Sequence, residues 1–268
     1  MYDIAWSRLV RYISANDGAE HYGEPIMSSD DQDIGELADA GNLSVRICDG
    51  SDALSATPTD REDRVKQLLG PLASDEVPII RCIGLNYKTH IQETGRPLPE
   101  CPTVFTKPAP AIADYDERIP IPVIAQSQCD YEGELVILIG KAGKDISEDQ
   151  ALDYVAGYTC GNDVSARDWQ RETGKAGAIP QWSFSKSFDK YAPLGPALIA
   201  QSVLGGADKQ ELQTIVNGDT LQKGSLIMTG TPGGVGLFMK PPCFLKHGDE
   251  VKVKIGGIGT LRNTMHFN

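Results

Sequence analysis

No apolar run in this 268-residue chain approaches the roughly 20 residues that a membrane-spanning helix needs. The longest, residues 135–140, has the length of one strand, so no membrane partner is expected. Positive charge is also scarce: 25 Lys and Arg against 37 Asp and Glu give a formal net charge of -12. A surface that grips phosphate backbones needs clustered cations, so nucleic acid is not an expected partner. An anionic small molecule is not excluded, because a local cation can reverse the sign inside one cleft. Such a site must then supply its own positive charge. The six cysteines show neither a CxxC pair nor zinc-ligand spacing, and several lie in apolar contexts such as IIRCIGL and YTCGND. Buried free thiols in a reducing compartment are the expectation. The opening residues, MYDIAWSRLVRY, lack a signal-peptide core, and Asp3 is unusual in an Arg-rich transit peptide. The cytoplasm is therefore the expected location, with the mitochondrial matrix as the alternative.

What the chain does have is strand-length apolar runs between turn signals. From residue 77 onward these are IIRCIGL, TVFTK, ELVILIG, VAGYTC, PALIA, SLIMTG and VKVKIGGIGTL. Helical stretches are few, at 87–94, 148–154 and 164–172. That ratio predicts an α+β, mainly β fold and no βαβ repeat. Residues 1–75 read differently, with short strands at 6–13 and 43–47 separated by Asp- and Gly-rich segments such as SSDDQDIGELADAG. Helical spacing over 61–69, ending before Gly70-Pro71, predicts a helix there. The expected division is a small β-rich module over 1–75 and a main domain over 76–268, with a decorated extension of the main core as the alternative for the first part.

Three clusters could carry chemistry. In Asp130-Tyr131-Glu132-Gly133-Glu134, strand alternation puts Glu132 and Glu134 on one face beside a buried strand. Two such carboxylates repel unless a proton or a hard cation lies between them; the alternative is a solvated acidic strand end. Asp163, in GNDVSARD, sits between an apolar run and a helical stretch, where it either caps the helix or completes an oxygen-donor cation site. Arg167 and Gln170, three apart, share a helical face that suits a substrate carboxylate, or else ordinary solvent.

His90 and Glu93 form an i, i+3 pair in which the carboxylate can orient the imidazole for proton transfer; a surface ion pair is the alternative. The other three histidines have unremarkable surroundings. Lys107 in VFTKP and Lys186 in FSKSFDKYAPLGP could supply the missing positive charge, although most lysines are simply solvated. The segment Met228-Thr229-Gly230-Thr231-Pro232-Gly233-Gly234 suits a tight anion-facing loop and matches no nucleotide-binding pattern.

Taken in order, GLNYKTHIQETG, FTKP, DYEGELVILIG, NDVSARDWQ, KSFDKYAPLGP, TGTPGGVG and FLKHGDEVKVKIGGIGTL resemble the fumarylacetoacetate hydrolase superfamily. The resemblance covers residue 79 to the C-terminus. ARDWQ and GLFMKPPCFLKHGDEV are most similar to the eukaryotic domain-containing type 2 proteins. It implies a mixed β-roll, a homodimer, and Mg2+ as cofactor, with Mn2+ or Ca2+ as alternatives. By motif, Glu132, Glu134 and Asp163 correspond to the metal ligands, and His90 and Glu93 to a water-activating dyad. Lys186 corresponds to the lysine near the metal-bound oxygens. Arg167, Gln170, Thr229, Gly230 and Thr231 match substrate-binding positions, with Lys107 a weaker match. The implied substrate is a small 2-oxo acid processed through a metal-bound enolate. Oxaloacetate tautomerisation or decarboxylation is the first expectation, with acylpyruvate or fumarylpyruvate-type C–C hydrolysis as the alternative. A non-catalytic homologue would be marked by loss of the dyad or of a ligand, and neither is lost.

One departure matters. After IVNGDTLQ the family continues with a polar segment and a helix before the strand leading to TGTP, whereas here Gln222 is followed at once by Lys223. Either the chain lacks that stretch or the numbering closes over residues left out. The second is the expectation, since deleting a helix that packs on a core is costly.

Overall fold

The computed structural model describes residues 4–207, 209–225 and 230–268, with side-chain surroundings for all of these but 223–225. Strands Arg8–Ser14, Glu20–Pro25, Ser44–Asp49 and Thr57–Leu68 pair antiparallel in chain order, and the fourth returns to pair with the first. Leu9, Val10 and Tyr12 are fully buried on the first of these. The same strand also pairs with Ala192–Ala200, Leu9 opposite Leu198, and so joins a sheet containing Val155–Asn162 and Gly133–Ile139. One apolar cluster therefore combines Val10, Tyr12, Leu43 and Val45 with Leu135, Tyr158, Ile199 and Leu261. Each fully buried side chain of this size contributes about 1.5–3 kcal/mol. The first 75 residues thus share both a sheet and a core with the rest of the chain.

Two local expectations are corrected. Residues 61–69 are not helical but lie within and just after the strand Thr57–Leu68. Pairing along both edges overrides the helical spacing, and its one buried acid, Asp63, accepts hydrogen bonds from Tyr12 Oη and Asn16 Nδ2 at 3.1 and 2.6 Å. Conversely, the polar connector at 28–41 contains a helix, Ile34–Asp39. Asp33 caps it by accepting from the N–H groups of Gly35 and Glu36, and also binds Thr260, so one side chain anchors the helix to the C-terminal strand.

A second sheet runs Asp219–Ser225, Glu211–Val216, Glu250–Ile255, Gly259–Phe267, Arg118–Ile121, the last pair parallel and the others antiparallel. Strand far outweighs helix, as expected for an α+β, mainly β roll. Gln222 and Lys223 are consecutive members of one strand, opposite Thr214 and Gln213. The expected break between them is therefore not found. The hairpin Ile80–Gly84 with Thr103–Lys107 carries the short helix Lys88–Thr94, which ends at Gly95 with φ 69°. Of the expected helices, 87–94 and 164–172 are each realised in part, as Lys88–Thr94 and Arg167–Arg171, and 148–154 is a 3-10 helix. The apolar run SLIMTG falls largely outside the described residues. No helix among those described is long and apolar enough to cross a membrane, and all six cysteines are free.

Candidate metal centre and cleft

Antiparallel pairing sets Gly133 opposite Asn162 and Glu134 opposite Gly161, which brings the acidic start of one strand against the acidic end of the next. Asp163 donates its N–H to Glu132 O at 2.9 Å, and Asn162 Oδ1 accepts from Glu132 N at 3.0 Å. Each of Glu132, Glu134 and Asp163 offers an oxygen within 4.8 Å of the others, and all three residues are buried. Among the described residues this is the one group of three or more His, Cys, Asp or Glu side chains able to surround an ion. Asp163 does not cap the helix Arg167–Arg171, whose capping position is Ala166.

The electrostatics of the triad are uneven. Burial opposes charge on Glu132, but Lys186, Arg167 and His90 outweigh it and hold its pKa down at about 2. Lys186 Nζ lies 2.9 Å from Glu132 Oε2 and 2.6 Å from Asp163 Oδ2. Arg167 Nη1 lies 2.6 Å from Glu132 Oε1. Glu134 has no such cationic partner among the described residues; the hydrogen bond it accepts from Gly230 N is long, at 3.3 Å. Burial, then Asp163 and Glu132, push its carboxyl well above the ordinary value. Asp163 Oδ1 is buried and pairs with Lys107 Nζ at 2.6 Å. A buried carboxyl with no cationic partner among the described residues, in an all-oxygen set of three acids, fits a hard divalent cation such as Mg2+ or Mn2+.

The triad reaches a cleft through Glu132, which lines it together with His90, Arg167, Gln170, Lys186 and Thr231. His90 Nδ1 is 3.3 Å from Glu93 Oε2, while Glu93 Oε1 accepts from Gly234 N at 2.7 Å, so the carboxylate ties the imidazole to the glycine loop. Gln170 Oε1 accepts from Arg167 Nη1 at 3.2 Å, and Arg167 Nη2 is buried with no hydrogen-bond partner. Lys107 is not part of the cleft lining; it pairs with Asp163 Oδ1 at 2.6 Å and donates to the carbonyls of Val164 and Tyr191. Thr229 lies outside the described residues.

Other residues matter to the site although the sequence assigned them no role. Asp130, fully buried, accepts from Arg167 Nε at 2.8 Å and from the N–H groups of Gly236 and Leu237 at 2.9 and 3.1 Å. It thereby fixes the arginine and the cleft wall together. Gln222 Oε1 accepts from Gly133 N at 3.2 Å, and its Nε2 donates to Thr231 Oγ1 and Pro232 O at 2.8 and 3.1 Å. Phe105, Trp182 and Phe238 form apolar walls. Gly84 makes room for one of them: a Cβ there would meet the Trp182 ring at 2.0 Å.

A mainly β roll with a buried carboxylate triad beneath a partly apolar cleft defines the class. The chain belongs to the fumarylacetoacetate hydrolase family: the family's C-terminal domain matches residues 79–226 and 219–266. Caffeoylpyruvate hydrolase of Neonothopanus nambi is 41% identical over 277 aligned positions, covering 97% of this chain and 93% of that protein. The mitochondrial oxaloacetate tautomerase fahd2 of Xenopus laevis is 40% identical over 222 positions, covering 73% of this chain and 67% of that protein. Among solved structures, 2-hydroxyhepta-2,4-diene-1,7-dioate isomerase from Mycobacterium marinum superposes with TM-score 0.75 at 30% identity, covering 98% and 99% of the two chains. The family match divides at 219–226, and the alignment of 277 positions exceeds the 268 residues available. The divided match places a discontinuity with the family model at 219–226, around Gln222.

Proposed function

We propose that this protein is a divalent-metal-dependent enzyme that cleaves acylpyruvate-type 2-oxo acids by hydrolysis. The observation that carries the reading is one cleft whose lining combines His90, held by Glu93, with Glu132 of the carboxylate triad, Lys186 and Arg167, whose Nη2 has no hydrogen-bond partner. Glu132, Glu134 and Asp163 would hold the cation, which when bound supplies Lewis-acid polarisation of the 2-oxo acid. Arg167 Nη2 receives the substrate carboxylate, and Gln170 keeps the guanidinium in plane. His90 takes a proton from water as the oxygen attacks the distal carbonyl carbon. The bond from that carbon to the methylene then breaks, and its electron pair becomes the enolate of pyruvate, whose charge Lys186 offsets. The proton held at His90 passes to the enolate carbon, leaving pyruvate and the second acid.

Oxaloacetate tautomerisation, or decarboxylation, is the second reading. It is favoured by the relatives named oxaloacetate tautomerases from frog, rat, human and cattle. Here His90 would move a proton between carbon and the enol oxygen without activating water. The apolar walls favour the first reading, since a four-carbon diacid has little to bury against Phe105 and Trp182. The proposal extends to a homodimer in a reducing compartment, the cytoplasm or the mitochondrial matrix. Four buried free cysteines support the reducing setting. Proton NMR of fumarylpyruvate and of oxaloacetate, each with Mg2+ or with EDTA, tests the function. Magnesium-dependent fumarate and pyruvate from the first substrate is the expected result. Exchange of the oxaloacetate tautomers alone would select the second reading, and no magnesium-dependent change in either would sink both.

A further inference from the structure

Two cations in the cleft have no part in the hydrolytic chemistry. Arg171 lies four residues after Arg167 on the helix Arg167–Arg171, so both guanidiniums leave the same helical face. Arg96 stands just past the left-handed cap at Gly95, on a separate segment, and both residues line the cleft and are exposed. Their charges are uncompensated. The cleft acids are engaged elsewhere, Glu132 by Arg167 and Lys186 and Asp130 by Arg167, and among the described residues neither Arg96 nor Arg171 enters an ion pair. Arg171 is held below the ordinary arginine value by partial burial and then by Arg167 and Arg96, so the three cations act on one another. The Arg171 guanidinium sits 5.5 Å from the Phe238 ring centroid, at the edge of the apolar wall. In a chain of net charge -12, mutually repelling arginines around one opening mark a place where an anion is needed.

We infer that Arg96 and Arg171 form a rim subsite for a second, distal carboxylate, so that the preferred ligands are 2-oxo acids with an anionic far end. The lining grades in burial: Glu132 and Arg167 are buried, Phe105, Trp182 and Phe238 supply aromatic surface, and Arg96 and Arg171 are exposed. A ligand that fits it has a 2-oxo acid head, a flat or extended apolar middle and a carboxylate tail. The inference rests on the reading that the cleft binds 2-oxo acids, and its test separates the two.

The test is calorimetric binding to the Mn2+-loaded protein of two matched pairs, 2-oxoadipate with 2-oxohexanoate and 2-oxopimelate with 2-oxoheptanoate. The members of each pair have the same carbon count and differ in whether the far end is carboxylate or methyl. The wild type is expected to prefer the diacid of at least one pair by about tenfold, which is what two exposed ion pairs at the upper end of their usual strength provide. The preference should shrink as salt rises from 50 to 500 mM. Arg96→Gln and Arg171→Gln should each reduce it, and the double variant should bind both members of a pair within twofold. Both substituted side chains are exposed, and circular dichroism checks that the variants remain folded. Equal binding of diacid and monoacid by the wild type, or a preference that survives in the double variant, overturns the rim subsite while leaving the 2-oxo acid reading intact. Binding of none of the four ligands overturns both.

Discussion

Glu134→Gln should stabilise the metal-free protein while destroying its metal site. The wild-type carboxyl is buried, with carboxylate oxygens of Glu132 and Asp163 within 4.8 Å. At an effective dielectric of about 20, each like-charge pair at that distance costs roughly 3.5 kcal/mol if both groups are ionised. Lys186 offsets part of this, and protonation of Glu134 relieves much of the remainder. A gain on the order of 2 kcal/mol is expected for the neutral isostere, comparable to other exchanges of poorly compensated buried charge. In a chain of this size that raises Tm by about 4–8 °C. The sign with pH comes from linkage. The folded pKa of Glu134 lies above its unfolded value, so between the two the native state holds the extra proton. Wild-type stability without metal therefore falls as pH rises from the ordinary carboxylate range through the raised folded value, and the advantage of the variant grows over the same window. Scanning calorimetry in EDTA at pH 5, 6, 7 and 8 measures it. Addition of Mg2+ should reverse the order, since the wild type alone gains from binding. A variant less stable than wild type in EDTA at pH 8 would refute the reasoning.

His90→Ala should lower acylpyruvate hydrolysis by 10²- to 10⁴-fold, the usual contribution of a general base, with Mg2+ affinity changed by less than threefold; steady-state kinetics and titration calorimetry together check this. Gln222→Ala removes three buried hydrogen bonds and leaves the Gly133 N–H without its acceptor, so a loss of about 2–4 kcal/mol is expected in urea unfolding. A loss under 1 kcal/mol would mean that water takes over those bonds. Asp130→Asn keeps the shape but weakens the hold on Arg167, so KM for 2-oxo acids should rise about tenfold while the far-UV spectrum stays unchanged.

The carboxylate triad was legible because strand alternation and short sequence spacing place Glu132 beside Glu134, and an acid comes directly after the strand paired with them. Whether Asp163 caps the helix or joins the two glutamates was not legible, since both share one local signature; the pairing of Gly133 with Asn162 is what brings it beside them. The helix expected at 61–69 is a strand because Val65, Leu68 and Leu69 satisfy either period, and pairing to Ser44–Asp49 and Arg8–Ser14 selects the extended form. Lys107 and Lys186 look alike in sequence and both pair with Asp163, yet only Lys186 lines the cleft. Asp130 was visible as a letter in DYEGE but not as a brace, because its partners come from residues 167, 236 and 237. The aromatic walls have the same origin: Phe105, Trp182 and Phe238 come from three separate segments with no shared spacing.

The most direct measurement is a single Mg2+ titration of metal-free protein in which bound ion and fumarylpyruvate cleavage are monitored together. The account predicts that rate rises in proportion to occupancy and saturates at about one ion per chain, and that Asp163→Asn shows neither binding nor cleavage in the same range. Cleavage that proceeds in EDTA, or a rate indifferent to occupancy, would contradict it.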